Sequence, residues 1–321
     1  MYARIAGTGS YLPEKILTNA DLAKFVDTTD EWIRTRTGIE SRHVVADGET
    51  TTDLAEKAAR NAMRDAGVGP DEIDLIVVGT ATPDLVFPNV GTLLQARLGI
   101  HGCPAFSVEA ACAGFLYALS IAEKFVRTGS ARCALVIGAD TLTRIVDWKD
   151  RSTCVLFADG AGAVILKASD EPGIISTHLH ADGRYKDLLQ YPDGVSKGFK
   201  RIRAGTAGVQ MKGNEVYKVA VNTLGALVVE TLRANNIDKN QIDWLIPHQA
   251  NIRIIEAIAK RLELPMERVI VTIQHHGNTS AASVPLAMDV GIRDGRIKRG
   301  QLLLLEAFGG GFTWGSALIR Y

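Results

Sequence analysis

Of the four cysteines, Cys103, Cys112, Cys133 and Cys154, one stands where a thiol could do chemistry. Cys112 lies between the strand-like Ser107-Val108-Glu109 and the stretch Gly114 to Ala122, which is apolar on every face and predicts a helix running through a core. A thiol at the start of such a helix faces free N–H groups and the positive end of the dipole. Both favour the thiolate and predict a pKa of about 7 or lower against the ordinary ~8.5. Small neighbours, Ala111, Ala113 and Gly114, leave room for a substrate at the sulfur, so the pattern suits a nucleophile. The plain alternative is a small buried hydrophobe, and the other three cysteines, in strand-like contexts, take that reading. No C-x-x-C pair occurs, which argues against a structural zinc site or a dithiol. So few cysteines point to a reducing compartment.

Two further residues occupy comparable positions. His248 follows the strand-like Trp244-Leu245-Ile246, at the carboxyl end where open α/β sheets place their ligand crevices. Asn278 sits in the turn Gly277-Asn278-Thr279-Ser280. Alone, the first suits a hydrogen-bonded core histidine and the second a helix cap. Together with Cys112 they fall on strand-to-helix turns along one edge of the sheets, and that convergence favours a site. Other signals are weak. Gly7-Thr8-Gly9-Ser10 lacks the third glycine of a dinucleotide fingerprint, and the one G-x-S-x-G match, Gly194-Val195-Ser196-Lys197-Gly198, follows Pro192-Asp193 and not the apolar strand that a nucleophile elbow needs. His275 and His276 are adjacent and cannot share a face as a metal pair, so no metal is expected. Asp27 to Trp32 reads as a helix cap, with Glu31 three residues after Thr28.

The elements that must hold these residues alternate between short apolar runs and longer amphipathic stretches, the mark of an α/β architecture. A helix is predicted from Thr52 to Ala66, ending at Gly67, and strands at Ile73–Val78, Ala134–Gly138 and Leu302–Leu305. The chain also repeats itself. Asp71-Glu72-Ile73-Asp74-Leu75-Ile76-Val77 returns as Asn240-Gln241-Ile242-Asp243-Trp244-Leu245-Ile246. Each copy leads to a helix, to a turn of small residues (Glu109 to Gly114, then His275 to Ser280) and to a glycine-rich hairpin at Ala158–Gly162 or Gly309–Gly311. Two copies of one unit, 1–171 and 172–321, related by a pseudo-twofold axis, would bring Cys112 and Asn278 together. The 321 residues carry 36 basic and 36 acidic side chains, and this balance argues against nucleic-acid binding. No apolar run approaches the ~20 residues of a membrane helix, and Met1 leads directly into a strand without a signal-like segment. A cytoplasmic protein is expected.

The segments Thr28-Thr29-Asp30-Glu31-Trp32-Ile33, Thr35 to Ile39, Ala111 to Phe115, His248-Gln249-Ala250-Asn251, Gly277 to Ser280 and Phe308 to Phe312 together resemble the β-ketoacyl-acyl-carrier-protein synthase III family, nearly end to end and in order. The resemblance implies a thiolase-like fold of two α/β halves in α-β-α-β-α layers. It implies an initiating condensing enzyme of fatty acid synthesis acting on acyl-CoA and malonyl-acyl-carrier protein, without a cofactor and as a homodimer. Cys112 would be the nucleophile, His248 and Asn278 the donors for decarboxylation, and the N–H groups of Cys112 and Gly310 the oxyanion hole. Trp32 and Arg151 would sandwich the adenine of CoA, with Thr28, Arg36 and Asn251 nearby. Phe87, Leu142, Phe157, Leu189 and Phe308 would form the acyl pocket, Phe87 coming from the second subunit. Gln249, Ala250, Asn251, Ile252, Arg253, Lys260, Arg261 and Lys212 would face the carrier protein, with Lys197, Lys200, Arg201 and Arg203 adding positive charge. A few extra residues between Tyr191 and Arg203 depart from the family pattern. The competing readings are a related Cys-His-Asn condensing enzyme with another extender, of polyketide or alkylquinolone type, and a non-catalytic acyl-CoA-binding module. A degradative thiolase would carry a second catalytic cysteine late in the chain, and none follows Cys154.

Overall fold

The computed structural model describes residues 1–321 and contains two large sheets and two small two-stranded ones. The first is built from β1 (Tyr2–Tyr11), β2 (Leu75–Gly79), β3 (Ala105–Val108), β4 (Cys133–Thr141) and β5 (Asp159–Ser169), in the order β1-β5-β4-β2-β3. The second is built from β6 (Ile174–Ala181), β7 (Trp244–Pro247), β8 (Leu302–Gly309) and β9 (Thr313–Arg320), in the order β6-β9-β8-β7. In each large sheet the second strand, β5 or β9, pairs antiparallel with both its neighbours, while β2 pairs with β4, and β7 with β8, in parallel. Beyond β7 a single parallel bridge, Leu245 to Val269, stands where β3 stands in the first sheet. The two halves therefore share one topology.

Side-chain alternation sorts the core into layers. Along β4, Leu135, Ile137 and Ala139 pack into one cluster and Ala134 and Val136 into another, as the two-residue period of a strand requires. The first cluster covers the outer face of sheet one with α1's successors in the chain, α2 (Thr51–Ala66) and α3 (Val90–Leu98); α1 itself is the short helix Asp30–Thr37. The second lies between the sheets and holds α4 (Gly114–Arg127), with Leu116 and Leu119, and later in the chain α7 (Ser283–Arg293), with Val284 and Met288. The third covers the outer face of sheet two with α5 (Gly213–Ala234) and α6 (Ile252–Leu262). The order is thus helix, sheet, helix, sheet, helix, the thiolase-like arrangement. Helix limits follow their local signals: Thr50 caps α2 in a box with Asp53, and Gly67 ends it at φ 63°.

The central layer is tight. A Cβ on Gly138 of β4 would stand 2.2 Å from the Ala281 carbonyl oxygen, so the turn before α7 lies directly on the first sheet. That contact brings the turns before α4 and α7 together across the pseudo-twofold axis.

Three local expectations need correction. The turn equivalent to Ala111–Ala113 is Ser280–Ala282: each is a single 3₁₀ turn, entered through a left-handed residue (Ala111 at φ 44°, Ser280 at φ 52°) and continuing into a helix. The counterpart of Cys112 is therefore Ala281, and Asn278 matches Glu109. The spacing agrees, since 39 residues separate Ile73 from Cys112 and Ile242 from Ala281. Ala158–Gly162 is no hairpin but the entry to β5 after a long connection, whereas Gly309 to Phe312 does turn β8 into β9. Among the cysteines, only Cys133 is on a strand; Cys154 ends the short helix Arg151–Cys154.

Candidate active site

Cys112 does not belong to α4 itself. It sits in the 3₁₀ turn one residue before Ala113, and its side chain is buried. Gly309, at the end of β8, passes immediately over this turn: a Cβ there would be 2.6 Å from the Cys112 nitrogen and 3.0 Å from the Ala110 oxygen. Only glycine lets β8 come that close. Gly310, the sequence candidate for the oxyanion hole, lies one residue further on, against the Leu189 carbonyl and Ala111.

His248 follows β7, buried, with its N–H bonded to the Glu306 carbonyl. Its ring is held from the far side, Nδ1 lying 2.5 Å from Ser283 Oγ at the start of α7. Asn278 is fixed by strand-like pairing with Leu156–Ala158: its N–H donates to the Leu156 carbonyl and its carbonyl accepts from the Ala158 N–H, each at 2.9 Å. Its side-chain oxygen accepts from the Ser280 N–H, which leaves the amide NH₂ to point elsewhere.

Cys112, His248 and Asn278 line one cavity of about 360 Å³. Phe157, Leu189 and Phe308 share its wall, with Trp32, Arg36, Ala250, Asn251 and Arg253 toward the mouth. Two guanidinium groups stack on the Trp32 ring, Arg36 at 4.5 Å and Arg151 at 4.8 Å from its centroid, so Arg151 lies directly on the ring and the gap expected between the two is closed. Arg151 is anchored by donating to the Asp27 carbonyl, and Asn251 by donating to the Arg36 carbonyl. The N-cap of α1 is Thr29, whose hydroxyl accepts from Trp32, so the expected cap at Thr28 is displaced by one residue.

Not every expected residue reaches this cavity. Leu142 is packed in the core beside Phe157 and does not line it, and Phe87 is 82% exposed on a loop remote from its wall in a single chain. Gln249 is fully buried and spends its amide on the backbone: it donates to the Pro247 and Ile270 carbonyls and accepts from the Thr272 and Ile273 N–H groups. It braces the chain after β7 and is no surface contact for a partner. Ile252 packs on Gly38 of the turn after α1. Arg253, Lys260, Arg261 and Lys212 are exposed, Arg253 at the cavity rim over the Tyr217 ring and Arg261 laid across Gly225.

Burial dominates the electrostatics. It pushes the Cys112 thiol up to about 12, against a hydrogen bond from Ser280 that works in the opposite direction. The expected low thiol pKa is thus not met, because loss of water outweighs a helix start two residues away. Burial also drives His248 down to about 3. Thiol and imidazole both rest neutral, an arrangement suited to donating hydrogen bonds to an oxygen that gains charge.

Sequence reasoning missed several residues. Ser280 belongs to the small-residue turn that drew attention only to Asn278, and Ser283 opens the helix that follows it. Glu306 is fully buried on β8 with neither carboxylate oxygen hydrogen-bonded, and burial raises it to about 8. One acid inside the run Leu302-Leu303-Leu304-Leu305-Glu306-Ala307-Phe308 was the available signal. Met211, Tyr217, Ala220 and Leu224 complete the cavity wall from α5 and the residues before it.

Known proteins agree with this architecture. Residues 106–183 match the family model 3-oxoacyl-(acyl-carrier-protein) synthase III, and residues 232–321 match its C-terminal model. A β-ketoacyl-(acyl-carrier-protein) synthase III of Thioalkalivibrio sulfidiphilus is 66% identical over 320 residues, covering 100% of this chain and 99% of that protein. The protein of the same name from Xanthomonas campestris is 67% identical over 321 residues, with the same coverage. A 3-oxoacyl-(acyl-carrier-protein) synthase III structure from Aquifex aeolicus superposes with a TM-score of 0.94 at 46% identity, covering 99% of this chain and 100% of that one. The priming β-ketosynthase of a polyketide biosynthetic pathway also reaches 0.94, at 36% identity, over 99% of this chain and 96% of its own. With such identity maintained along its entire length, the chain belongs to the β-ketoacyl-acyl-carrier-protein synthase III family.

Proposed function

We propose that this chain carries out the initiating condensation of fatty acid synthesis, joining a short acyl group from acyl-CoA to malonyl-acyl-carrier protein. The observation that carries the reading is the meeting of Cys112, His248 and Asn278, from three different turns, on one cavity whose mouth holds the Arg36–Trp32–Arg151 stack. Cys112 sulfur attacks the thioester carbonyl of acyl-CoA, forming acyl-Cys112, and the thiol proton leaves with CoA. N–H groups of Cys112 and Gly310 hold the oxyanion of that step. Malonyl-carrier protein then enters. Its carbon–carbon bond to the carboxylate breaks, CO₂ departs, and the electron pair becomes an enolate whose oxygen is held by His248 Nε2–H and the Asn278 amide. The enolate carbon attacks the acyl-Cys112 carbonyl, and the cysteine leaves as thiolate and is reprotonated. Every step is completed by side chains and substrates, with no metal or prosthetic group.

Phe157, Leu189 and Phe308 suit a short acyl chain, and the flat faces of Trp32 and the guanidinium groups suit an adenine ring and phosphates. The exposed Arg253 at the mouth, with Lys212 and, two turns further along α6, Lys260, suits an acidic carrier protein. Leu85, Val86 and Phe87, all exposed, suit a homodimer interface that places Phe87 against a second subunit's pocket. A primer series of radiolabelled acyl-CoAs tests the reading. Label should be retained covalently at Cys112 and chased into 3-oxoacyl-carrier protein by malonyl-carrier protein. Chase by malonyl-CoA alone would favour the polyketide-type alternative, and no labelling at all would leave only an acyl-CoA-binding module.

A further inference from the structure

The residue behind His248 decides what its imidazole can donate. Ser283 is 1% exposed and opens α7 at the turn that faces the Cys112 turn. Its Oγ makes two contacts: it accepts from the Gln249 N–H at 3.2 Å and lies 2.5 Å from His248 Nδ1. A buried hydroxyl that leaves its own hydrogen unused carries a desolvation cost of about 1–3 kcal/mol. Nδ1 is the only acceptor among these two contacts, and the Gln249 N–H already occupies one oxygen lone pair. The hydroxyl hydrogen therefore goes to Nδ1. A neutral imidazole carries one proton, so Nδ1 as acceptor puts that proton on Nε2. Gln249 itself cannot drift, since its side chain is tied to four backbone groups, one at Pro247 and three in the Ile270–Ile273 segment.

We infer that Ser283 is a positioning residue that holds His248 as its Nε2–H tautomer, and thereby gives the cavity a permanent hydrogen-bond donor for the enolate oxygen. The inference rests on the condensing reading above, in which malonyl decarboxylation moves an electron pair onto a thioester oxygen and no proton changes hands. An imidazole with its proton on Nδ1 would turn a lone pair toward that oxygen and oppose the charge. Burial of the ring supports the same picture by keeping it neutral, so the tautomer and not the charge is what a partner can select.

Two arms test this, and the first does not depend on activity. In protein labelled with ¹⁵N-histidine, the His248 signals, assigned by their loss in His248→Ala, should report a protonated Nε2 and an unprotonated Nδ1 in wild type. In Ser283→Ala the Nδ1-protonated form should become populated, and Ser283→Thr should restore the wild-type pattern. In the second arm, Ser283→Ala should lower malonyl-carrier-protein decarboxylation at least about 10-fold, the scale for losing the partner that orients a functional imidazole. Acyl transfer from acyl-CoA to Cys112 should stay within about twofold, and Ser283→Thr should recover decarboxylation. An Nδ1-protonated wild type, or an unchanged tautomer in Ser283→Ala, overturns the inference. So does an equal fall in both half-reactions. A correct tautomer pattern in a protein that never condenses would instead overturn the functional reading and leave the assignment of Ser283 intact.

Discussion

Gly309→Ala is the sharpest test of how the nucleophile is held. The added methyl would sit 2.6 Å from the Cys112 nitrogen and 3.0 Å from both the Ala110 oxygen and the Ala113 nitrogen, all backbone atoms that cannot swing aside. Ordinary contact begins near 3.4 Å, so the Cys112 turn or the end of β8 must retreat by about 0.8 Å. Neither retreats freely. The turn is pinned by the Thr313 hydroxyl, which donates to the Ala110 carbonyl, and β8 is paired with β9 as far as Gly309 and with β7 over Leu303 to Glu306. Overpacking of this size costs roughly 1–3 kcal/mol of stability, and a displacement near 1 Å at a reacting atom costs on the order of 10²-fold in rate. The assay is single-turnover acylation of Cys112 by acyl-CoA, run beside thermal unfolding. Gly183→Ala, where an added methyl meets nothing within 4 Å, is the control. We expect a folded protein with a slightly lower Tm and acylation slowed about 100-fold, while Gly183→Ala behaves as wild type. Wild-type acylation in Gly309→Ala would refute the idea that this contact sets the position of the sulfur.

His248→Ala and Asn278→Ala should each retain part of the acyl-transfer step but lose malonyl decarboxylation by at least about 10²-fold, the scale for one oxyanion-type donor; measuring CO₂ release separately from acyl-enzyme formation checks this. Arg253→Glu should raise KM for malonyl-carrier protein while sparing acyl-CoA transfer, and the difference from wild type should shrink as salt rises. An equal loss with both substrates would place Arg253 in support of the cavity rim over Tyr217. The buried groups also set opposing pH trends. His248 and His276 are lowered by burial to about 3 and about 4, so below about 6.5 the unfolded chain takes up protons that the folded chain refuses, and stability falls with acid. Glu306 is raised to about 8, so its contribution is complete below about 4.5 and is lost as pH rises to about 8. Denaturant unfolding of Glu306→Gln should therefore show no such loss between pH 5 and 8, and an unchanged slope would mean that Glu306 is ionised in the fold.

Much of this protein could be read from its sequence because the signals are local. The helix end at Gly67, the apolar runs of β2, β4 and β8, and the repeated Ile73 and Ile242 segments each depend on neighbours a few residues away. The doubled α/β plan and the small-residue turns around Cys112 and Asn278 came from such patterns, whereas Trp32 and Arg36 were singled out only by the resemblance to the family. What depends on distant packing did not. The repeat aligns Cys112 with Ala281 and not with Asn278, because the match is defined by two left-handed turn entries, at Ala111 and Ser280, which are features of the folded backbone. Gln249 looked like part of a partner-facing motif, yet its amide is consumed by the backbone of a segment more than twenty residues later. The thiol of Cys112 is neutral because residues from both halves close over it, and desolvation is a property of everything that surrounds a group. Ser283 lies 35 residues from His248 in the chain and 2.5 Å from it in space. Residue types and short spacings nominate the chemistry, but protonation, tautomer and alignment are decided only when the two halves pack against each other and exclude water.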